Sequence, residues 1–330
     1  MRRRDFITLL GGAAAVPSFR PLAARAQQPS ATIGFLSQGS PEGEARFVSA
    51  FRKGLNEAGF VEGRNVTIEF RWAENDTKRL PELAAELVAR RVGVIVVAAG
   101  TPAVLAAKAA TAAIPIVFQT GADPVRTGLV QSLNRPGGNI TGVSGLGQET
   151  ETKRLGLLNE ARPGAGPIAV LFNPNDDFGG QMSKAEFQAA AAALNRPLEF
   201  FYAGSNREID TAFEEMIGKK VEAVLLNSSN LYVDRAGQIA TLAARHVLPA
   251  IHAVSDFPHL GGLMSYGGSI ADRLRQVGTY AGRILKGEKP GNLPVVQATK
   301  FEFVINLQTA RTIGLTIPPG LLAIADEVIE

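Results

Sequence analysis

What most constrains this chain is a rhythm. Short apolar runs that end in small polar residues alternate with amphipathic stretches, and the series runs twice. Ala31 to Ser37 is an apolar run entering a polar loop. Glu42 to Ala58 follows with Phe47, Phe51 and Leu55 at spacings of four, one face of a helix, and Gly59 stops it. Val66 to Trp72 alternates apolar with polar, which predicts a strand with one solvated side. Leu80 to Arg91 reads as helix and Val94 to Ala98 as a fully buried strand. Thr101-Pro102 supplies an N-cap and a first-turn proline for a helix to about Ala112, and Ile114 to Phe118 is the next strand. Strands separated by helices of this length indicate crossover units and a parallel sheet.

Arg135-Pro-Gly-Gly-Asn139 interrupts the rhythm with turn residues, and Ile140 to Ser144 reads as a segment crossing between domains. The second series has helices from about Glu149, from about Gly180 to Leu194, over Arg207 to Ile217 and over Val233 to Arg245. Its strands are Ile168 to Phe172, Leu198 to Tyr202, Ala223 to Asn227 and Pro249 to His252. Gly261 to Tyr266 is a short strand expected to cross back. Ser269 to Lys286 is a helix with Ile270, Leu274, Val277, Ala281 and Ile284 on one face. Phe301 to Ile305 is a late strand, and Leu315 to Glu330 a short amphipathic tail. A chain of 330 residues suits two domains better than one core.

The first 26 residues stand apart. Met1-Arg-Arg-Arg-Asp-Phe-Ile7 leads into a Gly/Ala-rich apolar run to Val16, and Ala24-Arg-Ala26 offers small residues at a cleavage site. Basic start, apolar middle and small-residue exit make a secretory signal, and Arg3-Arg4 gives it a twin-arginine character. The run is about half the roughly 20 residues that span a bilayer. The expectation is an exported protein working in the periplasm without a membrane anchor. Setting aside the five arginines and one aspartate of this segment leaves 29 basic against 30 acidic residues. The formal net charge thus goes from +3 to −1, and the argument for nucleic acid or an anionic membrane as partner disappears. No cysteine is present, which excludes disulfides, thiolate metal sites and a cysteine nucleophile.

In open parallel sheets ligands bind beyond the carboxyl ends of the strands. The first series offers Ser37, Thr101, Thr120 and Asp123 there, and the second Asn173, Asn227, Ser228 and Asp256. Hydroxyls and helix starts suit a carboxylate, and the two aspartates suit an ammonium or hydroxyl group. Asp256 is the acid expected nearer the ligand, since Asp123-Pro124 also reads as a turn. Each of these residues also has a plain structural role available as a cap or turn former. Tyr232, Tyr266, Trp72, Phe178 and Phe257 are the aromatic candidates for the same cleft.

The catalytic inventory is thin. His252, Asp256 and His259 have the residue types of a metal site, but Pro258 and the loop setting argue against ligand spacing. There is no Gly-x-Ser-x-Gly elbow, no Walker sequence and no dinucleotide fingerprint, so neither an enzyme nor a cofactor is expected.

Several segments resemble one family. They are Ile33-Gly-Phe-Leu-Ser37, Phe51-Arg-Lys-Gly-Leu55, Glu69-Phe-Arg-Trp-Ala73, Thr120-Gly-Ala-Asp-Pro124 and Arg135-Pro-Gly-Gly-Asn-Ile-Thr-Gly142. Gly261-Gly-Leu-Met-Ser-Tyr-Gly267, Thr299-Lys-Phe-Glu-Phe-Val-Ile-Asn306 and Gly314-Leu-Thr-Ile-Pro-Pro319 continue the series. Together they are similar to the substrate-binding proteins of ABC transporters, in the tryptophan/tyrosine-type group with the type I periplasmic binding fold. The resemblance implies two similar three-layer α/β lobes joined by a three-strand hinge. It implies a monomer closing on a small solute, an aromatic amino acid in some relatives, with an inner-membrane permease as partner; the alternatives are a periplasmic ligand-sensing protein feeding a membrane sensor and an exported α/β enzyme using Asp123 or Asp256. On this reading residues 31–143 and 266–290 form the N-terminal lobe and residues 144–265 and 291–330 the C-terminal lobe. Ser255-Asp256 stands where close relatives often show a larger polar pair, so the resemblance does not extend to the identity of the solute.

Overall fold

The computed structural model describes residues 31–145, 147–176 and 182–330. The signal-like segment, Phe178 and the start expected at Gly180 for one helix lie outside them.

The two series of crossovers build two sheets. The first contains β1 (Ala31–Ser37), β2 (Val66–Trp72), β3 (Val94–Ala99), β4 (Ile116–Thr120) and β5 (Ile140–Ser144). The second contains β6 (Ile168–Phe172), β7 (Leu198–Tyr202), β8 (Ala223–Leu226), β9 (Ala250–His252) and β10 (Met264–Gly268). A two-residue strand, β11 (Val296–Gln297), returns to the first sheet, and β12 (Phe301–Asn306) and β13 (Glu327–Ile329) complete the second. The orders are β11-β5-β4-β3-β1-β2 and β13-β12-β10-β9-β8-β6-β7; every pairing is parallel except β10 with β12.

Each sheet is covered on both faces, as parallel sheets require. In the first lobe the helices Pro41–Glu57 and Ile270–Leu285 pack on one face, around Phe35, Phe51 and Val277. The helices Leu80–Ala89 and Thr101–Ala110 pack on the other, around Leu87, Val104 and Phe118. The second lobe repeats the three layers, with Asn206–Gly218 and Ala236–Arg245 on one face and Gly147–Ala161 and Lys184–Ala193 on the other. The alternation of β2 fits its position: it is an edge strand paired only with β1. The stretch from Val233 forms two helices, Asn230–Asp234 and Ala236–Arg245. The tail contributes a helix, Pro319–Ile324, before β13 pairs with β12.

The strand pairing corrects three expectations near the lobe boundaries. Ile140–Ser144 does not cross between domains; it is fully buried and pairs with β4 along its length. Residues 266–268 belong to β10 and pair with β12 in the second sheet, so the return to the first lobe falls at Ser269 rather than at 266. Val296–Gln297 pairs with Val143–Ser144, which keeps residues 291–297 with the first lobe. The chain therefore passes between the sheets three times, after Ser144, after Gly268 and between Gln297 and Phe301.

The helices Pro41–Glu57 and Ile270–Leu285 approach each other at two glycines. A methyl group on Gly54 would meet the carbonyl of Arg275, and one on Gly278 would meet the carbonyl of Phe51 and the amide of Leu55. Replacing a helical glycine by alanine ordinarily stabilises by about 1 kcal/mol through propensity. Backbone cannot yield as a side-chain tip can, so overpacking of about 1–3 kcal/mol should win. Gly278→Ala is therefore expected to lower the urea midpoint of unfolding. A raised midpoint would show that these helices do not need contact between their backbones.

Candidate functional site: the cleft between the lobes

The carboxyl ends of both sheets face each other across a cleft of about 920 Å³, open mouth included. Gln38, Thr101 and Gln119 reach it from the ends of β1, β3 and β4; Asp176, Ser228 and His252 reach it from β6, β8 and β9. Glu151 and Arg154 come from the helix Gly147–Ala161 and Arg273 from the helix Ile270–Leu285, each just beyond a crossing between the lobes. Phe301 lines the wall where the third crossing ends, stacked on Tyr266 at 6.0 Å.

The lobes meet directly. Gln38 Nε2 donates to Asp176 Oδ1 across the cleft at 2.9 Å, and Asn75 Nδ2 donates to Asp234 Oδ2 at 2.9 Å. Arg46 forms an ion pair with Asp256, and Arg126 lies 3.6 Å from Glu186. Asp234 sits against the start of the helix Pro41–Glu57, where it also accepts from Ser40 and presses its Oδ1 toward Gly43.

The predicted site residues divide. Thr101 and Ser228 line the cleft. Thr120 stands one layer behind: its hydroxyl is 3.0 Å from that of Thr101 and accepts from the Ala122 amide. Asn173 also sits behind, donating to Asp176 Oδ2 and to Ser229, each at 3.0 Å. Asn227 is buried next to Ser228 but does not line the cleft. Ser37 is fully buried and donates at 2.5 Å to Glu44. Asp123 is exposed and folds its own turn, accepting from the Val125 and Arg126 amides. Asp256, the acid expected nearer the ligand, lies in a separate small recess at the rim with Arg46 and Phe47, and the acids that line the main cleft are Glu151 and Asp176. Among the aromatic candidates, Tyr232 is in the core with its hydroxyl on the Ala203 carbonyl, Trp72 packs against Phe35 and Phe70, and Phe257 is buried beside His252.

The charged residues that sequence reasoning missed are the chemically informative ones. Arg273 is buried, donates one Nη1 hydrogen bond to the Gly268 carbonyl at 3.3 Å, and leaves Nε without a partner. Asp272 beside it turns instead to Arg275 and Gln276, so among the described residues Arg273 has no ion-pair partner. Burial lowers its pKa to about 10 against the opposing effect of the Asp272 charge, which still leaves it charged at neutral pH. Glu151 and Arg154 form a fully buried pair at 3.6 Å. Burial raises the pKa of Glu151, and the Arg154 charge opposes that. Asp176 is raised by burial against the bonds from Ser229, Gln38 and Asn173. His252 is pushed down to about 3, first by burial and then by Arg154 and Arg46, so it is neutral. Its Nδ1 accepts from the Val254 amide, which places the proton on Nε2. Gln38 Oε1, Gln119 Oε1 and Asn230 Nδ2, side-chain atoms of residues that also line the cleft, lack hydrogen-bond partners among the described residues. The signal for the arginines was present: Arg273 follows Ile270 by three and precedes Val277 by four, which puts a charge in an apolar helical stripe.

Residues 37–329 match the family model described as ABC transporter substrate binding protein. A curated relative, a tyrosine-binding protein of Clostridioides difficile strain R20291, is 27% identical over 265 residues, 80% of this chain and 75% of that protein. Among solved structures, an ABC domain from Streptococcus pneumonia in complex with L-Trp is 27% identical. It superposes with a TM-score of 0.82 over 91% of this chain and 100% of that one. A conserved domain protein from Vibrio cholerae is 26% identical, with a TM-score of 0.83 over 91% and 99%. Among the described residues no helix is long and apolar enough to cross a membrane.

Two outcomes follow from this geometry. A methyl group at Gly43 would collide with Asp234 Oδ1 while suiting the helix that bears it. Gly43→Ala is expected to hold the lobes apart, raising the radius of gyration in solution scattering without lowering the unfolding midpoint; an unchanged radius would remove Asp234 from the closing contacts. Beneath the cleft, burial pushes Glu44 up to about 8; the Ser37 hydroxyl opposes this, the Asp234 carboxylate adds to it and the Gly39 amide opposes it. A carboxyl raised on folding takes up a proton between the unfolded value near 4.5 and about 8, so its contribution to stability is full below that window and is lost as pH rises through it. Glu44→Gln should therefore flatten the decline of unfolding free energy between pH 5 and 8.5, measured by urea titration. Parallel pH profiles in the two proteins would contradict the assignment.

Proposed function

The chain belongs to the ABC transporter substrate-binding protein family, and from that premise we propose that it is the periplasmic solute-binding component of an importer, closing on an aromatic amino acid or a closely related carboxylate and delivering it to an inner-membrane permease. It is a solute-binding protein and not an enzyme. The observation that carries the ligand reading is Arg273, a buried guanidinium in the cleft that among the described residues has an unpaired Nε and no ion pair, only the charge of Asp272 beside it. A buried, uncompensated charge costs several kcal/mol, and a carboxylate brought by the solute removes that cost. Gln38 Oε1 and Gln119 Oε1 offer unpaired acceptors to an ammonium group on the same solute. Phe301 supplies an apolar wall, and the relatives described as binding tyrosine and L-Trp support an aromatic solute. The solute acts by favouring the closed state, to which alone it presents both lobes. The permease would then meet a surface composed of both lobes in a fixed relation.

A thermal-shift screen of L-Trp, L-Tyr, L-Phe and neutral sugars, followed by calorimetry, tests the ligand. At least one aromatic amino acid should raise the melting temperature. Arg273→Gln should weaken its binding by about 10- to 150-fold, the worth of a charge-assisted hydrogen bond. A shift with sugars alone would overturn the carboxylate reading. Export is tested separately: replacing Arg3 and Arg4 by lysine should leave precursor in the cytoplasm, and normal export of that variant would show that the leader is not of the twin-arginine type.

A further inference from the structure

Three fully buried side chains of the second lobe line the cleft and carry polar atoms without a hydrogen-bond partner among the described residues, although Glu151 Oε1 lies 3.6 Å from Arg154 Nη2, and the contact of a carboxylate with Arg273 uses none of them. Glu151 accepts from the Met182 amide through Oε2 at 3.0 Å and faces the Ser228 amide, but its Oε1 has no hydrogen-bond partner. Arg154 donates from Nη1 to the Tyr266 carbonyl at 3.2 Å and from Nη2 to the Ser228 hydroxyl at 3.3 Å, and its Nε has no partner. His252 has its Nδ1 filled by the Val254 amide, so the Nε2 hydrogen is the free donor. The cluster thus presents two donors and one acceptor.

That count selects among functional groups. A carboxylate would meet Glu151. An ammonium would meet two donors and Arg154. A purely apolar group would leave all three atoms unpaired in a buried place. A hydroxyl has one hydrogen to give and two lone pairs to receive, which is the complement of the set. We propose that Glu151, Arg154 and His252 form a subsite for a hydroxyl group of the solute, separate from the carboxylate held by Arg273, and that this chain selects hydroxylated over non-hydroxylated solutes. The inference rests on the reading of the cleft as the solute site.

The test uses two pairs of probes that differ only by a hydroxyl: L-tyrosine with L-phenylalanine, and 4-hydroxybenzoate with benzoate. In calorimetry on the wild-type chain the hydroxylated member of a pair is expected to bind about 10- to 100-fold more tightly. His252→Phe keeps a ring and removes the donor. It should bring the pair to within a few-fold by weakening the hydroxylated member alone, and Glu151→Gln gives a second variant should the first not fold. If both members bind with the same Kd, water fills the cluster and the subsite is overturned while the cleft keeps its solute. If none of the four probes binds, the subsite is overturned, and the aromatic-carboxylate reading falls with it only when L-Trp also fails to bind.

Discussion

The closed arrangement depends on how charge is balanced where the two sheets face each other. Parallel strands all deliver their carboxyl ends to one edge, so closing two such lobes buries a seam of polar loops rather than an apolar interface. Arg273, Arg154, Glu151, Asp176 and His252 are buried along that seam together. Glu151 and Arg154 compensate each other, Asp176 collects bonds from Gln38, Asn173 and Ser229, and His252 becomes neutral. Arg273 is left without an ion pair among the described residues, supported only by the charge of Asp272 beside it.

Its position ties that charge to the hinge. Methyl groups at Gly145 and at Gly268 would each press on Arg273 Nη1, and these glycines belong to the first and second crossings between the lobes. Gly268 in turn abuts Ala298 and the Lys300 carbonyl, in the third crossing. The guanidinium is thus lodged between the first two crossings, with the third one residue layer away, so an anion bound to it would act close to the point about which the lobes are joined. Farther out, Asp234 and Asp256 join the lobes at the mouth. Arg46 and Asp256 are partly exposed, and an exposed ion pair is worth about 1 kcal/mol or less, while Asp234 is held by a hydrogen bond from the neutral Asn75 amide. Such contacts set the closed geometry without fixing it against opening.

The sequence made the architecture readable because its periodicities answer to burial. Runs such as Val94–Ala98 have neighbours on both sides and both faces, and alternation in Val66–Trp72 marks an edge. It was less informative where size or composition is atypical. Ile140–Ser144 holds glycine and two hydroxyl residues because its neighbours are close: a methyl group on Gly142 would strike the Phe118 carbonyl. Val296–Gln297 is too short to show any period. The strand-end rule found Thr101 and Ser228, and it found the layer behind them in Thr120 and Asn173. It could not separate a hydroxyl that faces the cleft from one that supports a turn, because caps and ligands draw on the same residues. Arg154 and Arg273 escaped it because they sit on helices that follow crossings. There the signal is a charge within an apolar stripe, as in Glu151, Arg154, Leu158 and Ala161 at spacings of three and four.

That distribution explains how a binding protein of this kind can be both specific and reversible. If direct contacts between the lobes were strong, closure would need no solute, and a ligand with no preference between states shifts nothing. If they were absent, the solute would bear the whole ordering cost. Here the outer contacts hold the lobes in register, while the unmatched guanidinium inside makes the empty closed cleft costly. On the proposed reading, a solute carboxylate would remove that cost only when the lobes are shut, which is the differential affinity that closure requires. The buried arginine therefore acts against stability in the empty protein and for selectivity in the loaded one, and its place beside the crossings makes the two effects one.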